Sequence, residues 1–213
     1  MLPDDLGLVE VRVLGALIEK ALSTPEHYPL SLNALTNACN QSSNRDPVMK
    51  LDESAVSAAI DVLRRRSLVR SFQASGTRVP KYQHLLADAG DLSPAELAVL
   101  GVLALRGPQT LAEVRSRAAR LMPGDDVEGV EAALEALVAR AAVSRLSRRL
   151  GQKEARYAHL LAGEVLHDAE DEPIPTPAAA IDRIAALEEV AAELRGEVND
   201  LRAQLADFRK QFE

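Results

Sequence analysis

The chain has 213 residues, 47% of them apolar but only 3% aromatic and none tryptophan, so any core must be packed from Leu, Val, Ile and Ala. That composition favours helix over sheet, because Ala and Leu lose little on entering a helix whereas strands draw on branched and aromatic side chains. A lone cysteine, Cys39, excludes an intrachain disulfide, no apolar run approaches the roughly 18 residues of a membrane span, and the net charge of −7 sits in residues 167–213, which hold 5 basic and 12 acidic side chains.

The first predicted helix carries Val11, Leu14, Ile18 and Ala21 on one stripe. A second runs from Ser31 to about Asn40, and a third from about Asp52 to Arg66, with Leu51 and Val56 placed as a hydrophobic staple around an Asp52 cap. The pattern then changes to alternation. Leu68–Phe72 reads as a strand, Ala74–Thr77 as a turn, and Arg78–Leu85 as the returning strand.

The same plan follows a second time. Ser93-Pro94-Ala95-Glu96 is a capping box with proline at the first helical position, opening a helix with Leu97, Leu100 and Ala104. Thr110 and Glu113 cap the next helix, to about Leu121, and a third spans about Asp126 to Arg140. Val143–Arg148, a turn at Leu150–Gln152 and Ala155–Leu160 form the second hairpin. Three likenesses recur in order: Glu10–Leu17 with Glu96–Leu103, Val56/Ala59/Ile60/Leu63 with Val130/Ala133/Leu134/Leu137, and Lys81–Leu86 with Arg156–Leu161. A unit of three helices and a hairpin has been duplicated.

Residues 164–178 are acidic and contain Pro173, Pro175 and Pro177, which predicts an extended linker. Heptads follow. Ile184, Ala191, Val198, Leu205 and Phe212 fall at a, and Leu187, Leu194, Leu201 and Phe208 at d. The expected seam of a homodimer is thus Ile184, Leu187, Leu194, Val198, Leu201, Leu205 and Phe208.

The fold expected is mainly α with small β-hairpins: two tandem winged-helix domains (1–90 and 91–163), the linker (164–178) and a C-terminal coiled-coil helix (179–213). The stretches Val11–Lys20 (VRVLGALIEK), Tyr28–Met49 (YPLSLNALTNACNQSSNRDPVM), Arg106–Thr110 (RGPQT) and Gln152–Leu161 (QKEARYAHLL) resemble the YceH-like family of uncharacterised bacterial proteins. The resemblance covers roughly residues 7–163. It implies a tandem winged-helix fold and a bacterial cytoplasmic protein, and no particular activity.

No phosphate-cradling glycine loop, GxSxG, HExxH or paired cysteine motif is present, so neither an enzyme nor a cofactor or metal is expected. Cys39 reads as a small buried hydrophobe. His84 and His159 each follow a tyrosine by two residues in equivalent strands, which places both rings of each pair on one face, beside the third helix. The polar loop 41–47 has no counterpart in the second copy; its Asn44 and Arg45 either contact nucleic acid or hydrogen-bond the loop internally. Arg64 and Arg65 end the first third helix, with Arg66 and Arg70 beside them. Arg145, Arg148, Arg149 and Lys153 line the second wing, followed by Arg156. Both groups are candidate phosphate contacts.

Against base reading, the third helices begin Asp52-Glu53 and Asp125-Asp126, carboxylates that favour the helix dipole but repel phosphate. Two partner classes therefore stay open. One is DNA, bound by a dimeric winged-helix protein acting in transcription or another DNA transaction. The other is protein, bound by a scaffold resembling the tandem winged-helix subunits of chromosome-segregation complexes. A cytoplasmic, non-membrane location is expected, since no secretory leader opens the chain.

Overall fold

The computed structural model describes residues 2–73, 79–122, 127–146 and 154–163. The chain divides into two units, Met1–Leu166 and His167–Glu213. The predicted linker, coiled-coil helix and dimerisation residues Ile184 to Phe208 lie outside the described residues.

Within the first unit one order of elements occurs twice. The first copy runs α1 (Leu8–Ser23), a 3₁₀ turn (Pro25–His27), β1 (Leu30–Ser31), α2 (Leu32–Cys39), α3 (Glu53–Arg65), β2 (Val69–Phe72) and β3 (Lys81–His84). A short α4 (Leu86–Gly90) leads to α5 (Pro94–Arg106), β4 (Gln109–Thr110), α6 (Leu111–Ala119), α7 (Val127–Ala139), β5 (Val143–Arg145) and β6 (Arg156–His159). The fold is mainly helical, with two small antiparallel sheets ordered β1-β3-β2 and β4-β6-β5. Their registers correspond. Tyr82 lies between Leu30 and Ser71, and Tyr157 between Gln109 and Arg145; His84 faces Val69, and His159 faces Val143. The tyrosine–histidine segments thus occupy matching strands.

Local chemistry sets the boundaries. The Ser93 hydroxyl accepts from the Glu96 N–H (3.2 Å), and the Glu96 carboxylate accepts from the Ser93 N–H (2.8 Å). Thr110 and Glu113 repeat this exchange at α6. Asp52 Oδ1 accepts from the Ala55 N–H at 2.8 Å and starts α3. β1 and β4 do not appear in the sequence pattern. Each is two residues long and ends on the residue that caps the next helix, Ser31 or Thr110, and two residues cannot display an alternation.

Both third helices end alike. Ser67 and Ala141 adopt left-handed φ of 57° and 52°, and the N–H groups of Leu68 and Ala142 reach back to the carbonyls of Leu63 and Leu137, both at 2.9 Å. That is the six-to-one closure of a helix C-terminus. The next arginine back then ties to the start of the same repeat. Arg66 binds the Asp5 carboxylate, and Arg140 binds the Asp91 carbonyl and the Glu96 carboxylate, both at 3.2 Å.

α1 and α5 are apolar around most of their circumference, and consecutive residues Val11–Ile18 and Glu96–Leu105 are buried. Helices of that kind belong inside. Each is covered by its own repeat on one side and by the other on the remaining side, and they cross at Gly15 and Gly101, which occupy equivalent places in the duplicated unit. A Cβ on Gly101 would lie 2.7 Å from Ile18 Cγ2, and one on Gly15 would lie 3.0 Å from Leu105 Cγ. Both repeats consequently share one aliphatic core. Among the described residues no helix is long and apolar enough to cross a membrane.

Candidate nucleic-acid interface

The loop between α2 and α3 was the first candidate. Its base is closed by a reciprocal amide pair: Asn40 Nδ2 donates to the Leu51 carbonyl, and the Leu51 N–H donates to Asn40 Oδ1, both at 2.7 Å. Arg45 turns inward, and its side chain is fully buried. It donates to the Ala38 carbonyl (2.7 and 3.0 Å), to both oxygens of Glu19 (2.7 and 3.1 Å) and to Gln41 Oε1 (2.8 Å). Arg12 is also buried and donates to the carbonyls of Pro47 (2.7 Å) and Cys39 (3.3 Å). Two guanidiniums therefore sit at the C-terminal end of α2, where unsatisfied carbonyls and the helix dipole favour positive charge.

The loop also reaches the second repeat. The Asp46 N–H donates to the Leu105 carbonyl at 2.9 Å, and Asn44, at φ 60°, accepts from Arg106 through its side-chain oxygen. The segment is a strut between the repeats. Arg45 is corrected from a candidate phosphate contact to a buried structural cation, because its donors are used within the chain. Asn44 stays exposed, but its oxygen is taken. The sequence carried one signal for this network: Arg12 interrupts the otherwise apolar run Val11–Ile18 of α1.

The end of α3 presents a different picture. Arg64, Arg65 and Arg70 are exposed. With Asp61, Val69 and Ser71 they line an open depression between the C-terminal turn of α3 and β2. Arg64 lies 3.4 Å from the Asp61 carboxylate, with both side chains about half exposed; such a pair is worth ~0–1 kcal/mol and leaves the guanidinium available. With the Gln83 amide turned so that its oxygen faces Arg70, the Arg70 guanidinium donates to that oxygen at 2.9 and 3.0 Å. Arg66 is engaged with Asp5 and stands apart. At the opposite end of the helix the carboxylates are occupied. Asp52 caps, which holds its pKa below the usual value through the Ala55 N–H, and Glu53 accepts from Asn33 at 3.2 Å.

In the second repeat Arg145 is exposed at the end of β5, beside Tyr157 and Leu111. Arg148, Arg149 and Lys153 lie outside the described residues. His84 and His159 are pushed down from 6.5 to about 4 by burial, and neither Nδ1 has a hydrogen-bond partner among the described residues. The Tyr28 hydroxyl accepts from the His84 N–H at 2.7 Å, and burial raises that phenol's pKa. Burial likewise pushes the Cys39 thiol up to about 12. Among the described residues no three His, Cys, Asp or Glu side chains are grouped to hold a metal.

Comparison with known proteins places the chain in a family. A family model described as "Protein of unknown function, DUF480" matches residues 6–152. The chain is 54% identical over 216 residues to a UPF0502 protein of Pelobacter propionicus, covering 98% of both chains. It is 53% identical, again over 98% of both, to a UPF0502 protein of Geobacter sulfurreducens, and 46% identical over 211 residues, 98% of both, to one from Solibacter usitatus.

Proposed function

Since the chain belongs to the DUF480 family of UPF0502 proteins, we propose that it is a tandem winged-helix protein that binds nucleic acid through the basic end of its first repeat. The order helix, strand, helix, helix, strand, strand, with the sheet ordered first-third-second, supports the winged-helix reading of each repeat. In it α2 and α3 are the helix-turn-helix and β2–β3 the wing. The observation that carries the binding is the exposed group Arg64, Arg65 and Arg70, gathered around one depression where Asp61 is the single carboxylate among the described residues that line it.

The chemistry is phosphate neutralisation with counterion release rather than base reading. Asp52 and Glu53 occupy the end of α3 that a base-reading helix would present to the major groove. The reading also takes the C-terminal heptads as a homodimer seam and Arg148, Arg149 and Lys153 of the second wing as further phosphate contacts. No reaction is part of the role: it is a DNA-associated function in the cytoplasm, in transcription or another DNA transaction.

The test is fluorescence anisotropy against a random-sequence duplex over a salt series, with the mass of the intact species measured alongside. Each phosphate contact contributes ~0.9 to the slope of log K against log salt. Replacing Arg64, Arg65 and Arg70 by serine is expected to lower that slope by about 2–3 and to weaken binding at every salt concentration. Arg148→Ala with Arg149→Ala is expected to act in the same direction. No binding by the parent chain at low salt, or an unchanged slope in the triple variant, overturns the reading.

A further inference from the structure

The strand pair β2–β3 has two unlike faces. In its register Val69 lies opposite His84, Arg70 opposite Gln83, Ser71 opposite Tyr82 and Phe72 opposite Lys81. Directly opposed residues share a face, and the face alternates along each strand. Val69, Ser71, Tyr82 and His84 therefore belong to one face, from which Val69 and Tyr82 pack onto the core. Arg70, Phe72, Lys81 and Gln83 belong to the other. Phe72 is 51% exposed there. It has Arg70 beside it along β2 and Lys81 across from it, both exposed, and neither strand contains a carboxylate. Arg70 also lines the depression with Arg64 and Arg65, so the ring adjoins the cations at the end of α3. The fold does not require an aromatic at this place. In the second repeat Ser144 and Ala158 stand where Arg70 and Gln83 do, and the half-buried Leu146 follows where Phe72 does.

Building on the phosphate reading of Arg64, Arg65 and Arg70, we propose that the first repeat binds single-stranded nucleic acid in preference to duplex, with one base stacked on Phe72 and the adjoining phosphates on Arg70, Lys81 and the end of α3. Every base has a π-face, but in a duplex the neighbouring pairs cover it; an unpaired strand leaves it open to a protein ring, and cations beside that ring hold the backbone. The carboxylates Asp52 and Glu53, which oppose entry of α3 into a major groove, do not oppose this mode, because they lie at the far end of the helix. Wedging of the ring between paired bases is disfavoured, since Phe72 is a paired strand residue set behind the segment 73–80 that joins the strands. A protein partner is disfavoured by area. The exposed apolar surface is one ring, with Val79 exposed before β3 begins, whereas a specific protein interface buries about 800 Å² on each partner around an apolar centre.

The chain contains no tryptophan, so Phe72→Trp introduces a single indole at the site, and the exposure of the position admits it without repacking the core. Its fluorescence is followed against an oligothymidylate, an abasic strand of the same length, the corresponding duplex and polyglutamate. The oligothymidylate is expected to quench it; the abasic strand, which has the same phosphates and no bases, and polyglutamate are expected to quench it far less. By anisotropy the parent chain is expected to bind the oligothymidylate ~10-fold more tightly than the duplex. Phe72→Ala is expected to remove that difference and leave the salt slope unchanged, because the phosphate contacts remain. Equal quenching by the abasic strand or by polyglutamate, an equal loss of duplex and single-strand binding in Phe72→Ala, or no effect of Phe72→Ala overturns the proposal. In that last case a lowered slope in the triple arginine variant still upholds the nucleic-acid reading, whereas a parent chain that binds neither form of DNA overturns both.

Discussion

Replacing Gly101 by alanine tests the crossing of α1 and α5 on which the shared core depends. The new Cβ would lie 2.7 Å from Ile18 Cγ2 and 3.4 Å from Ile18 Cβ. That methyl is a branch on a β-branched residue held in one rotamer by its helix, and Ile18 is 0% exposed. It cannot swing away, so the helices must part. Overpacking of this kind costs ~1–3 kcal/mol, whereas exchanging Gly for Ala inside a helix contributes ~1 kcal/mol in the other direction. A net loss of about 1 kcal/mol is expected, seen as a fall in Tm of ~2–4 °C with an unchanged urea m-value.

Ile18→Leu moves the branch from Cβ to Cγ and removes the offending methyl, at a cost of less than ~1.5 kcal/mol. In that background Gly101→Ala is expected to stabilise by up to ~1 kcal/mol. The double-mutant cycle then shows a coupling of about 2 kcal/mol, far outside the ~0.3–0.5 kcal/mol scatter of independent sites. Equal effects of Gly101→Ala in the two backgrounds would refute the close crossing.

Arg45→Met leaves the half-buried Glu19 with only its 3.7 Å contact to Lys20 and the Ala38 carbonyl without its side-chain donor, and is expected to cost ~2–4 kcal/mol in urea unfolding; a loss below ~1 kcal/mol would return Arg45 to the surface candidates. His84 and His159 resist protonation until about pH 4 when folded but accept protons near 6.5 when unfolded. Their contribution is therefore full above pH 6.5 and falls as pH drops from 6.5 to 4. A double phenylalanine variant should flatten the unfolding midpoint across that interval, and an unchanged profile would count against the burial of these rings. Cys39, buried and pushed up to about 12, is expected to react with iodoacetamide only on unfolding; rapid labelling of the folded chain contradicts its placement.

What the residues determined alone was local. Helix starts at Ser93 and Thr110 were legible because each cap has its glutamate three residues on, and the start at Asp52 because Leu51 and Val56 flank it as a hydrophobic staple. The duplication was legible because a core position tolerates few replacements, so Val56, Ile60 and Leu63 still match Val130, Leu134 and Leu137. The tyrosine–histidine strands followed from their alternation. Tertiary structure decided whatever depends on the group across the gap. β1 and β4 exist only because β3 and β6 supply partners. Arg45 turns inward because Glu19 and the end of α2 await it, and nothing in the polar wording of residues 41–47 distinguishes that from an outward arginine. Gly15 and Gly101 were visible in the repeat, but their reason is a second helix packed close by.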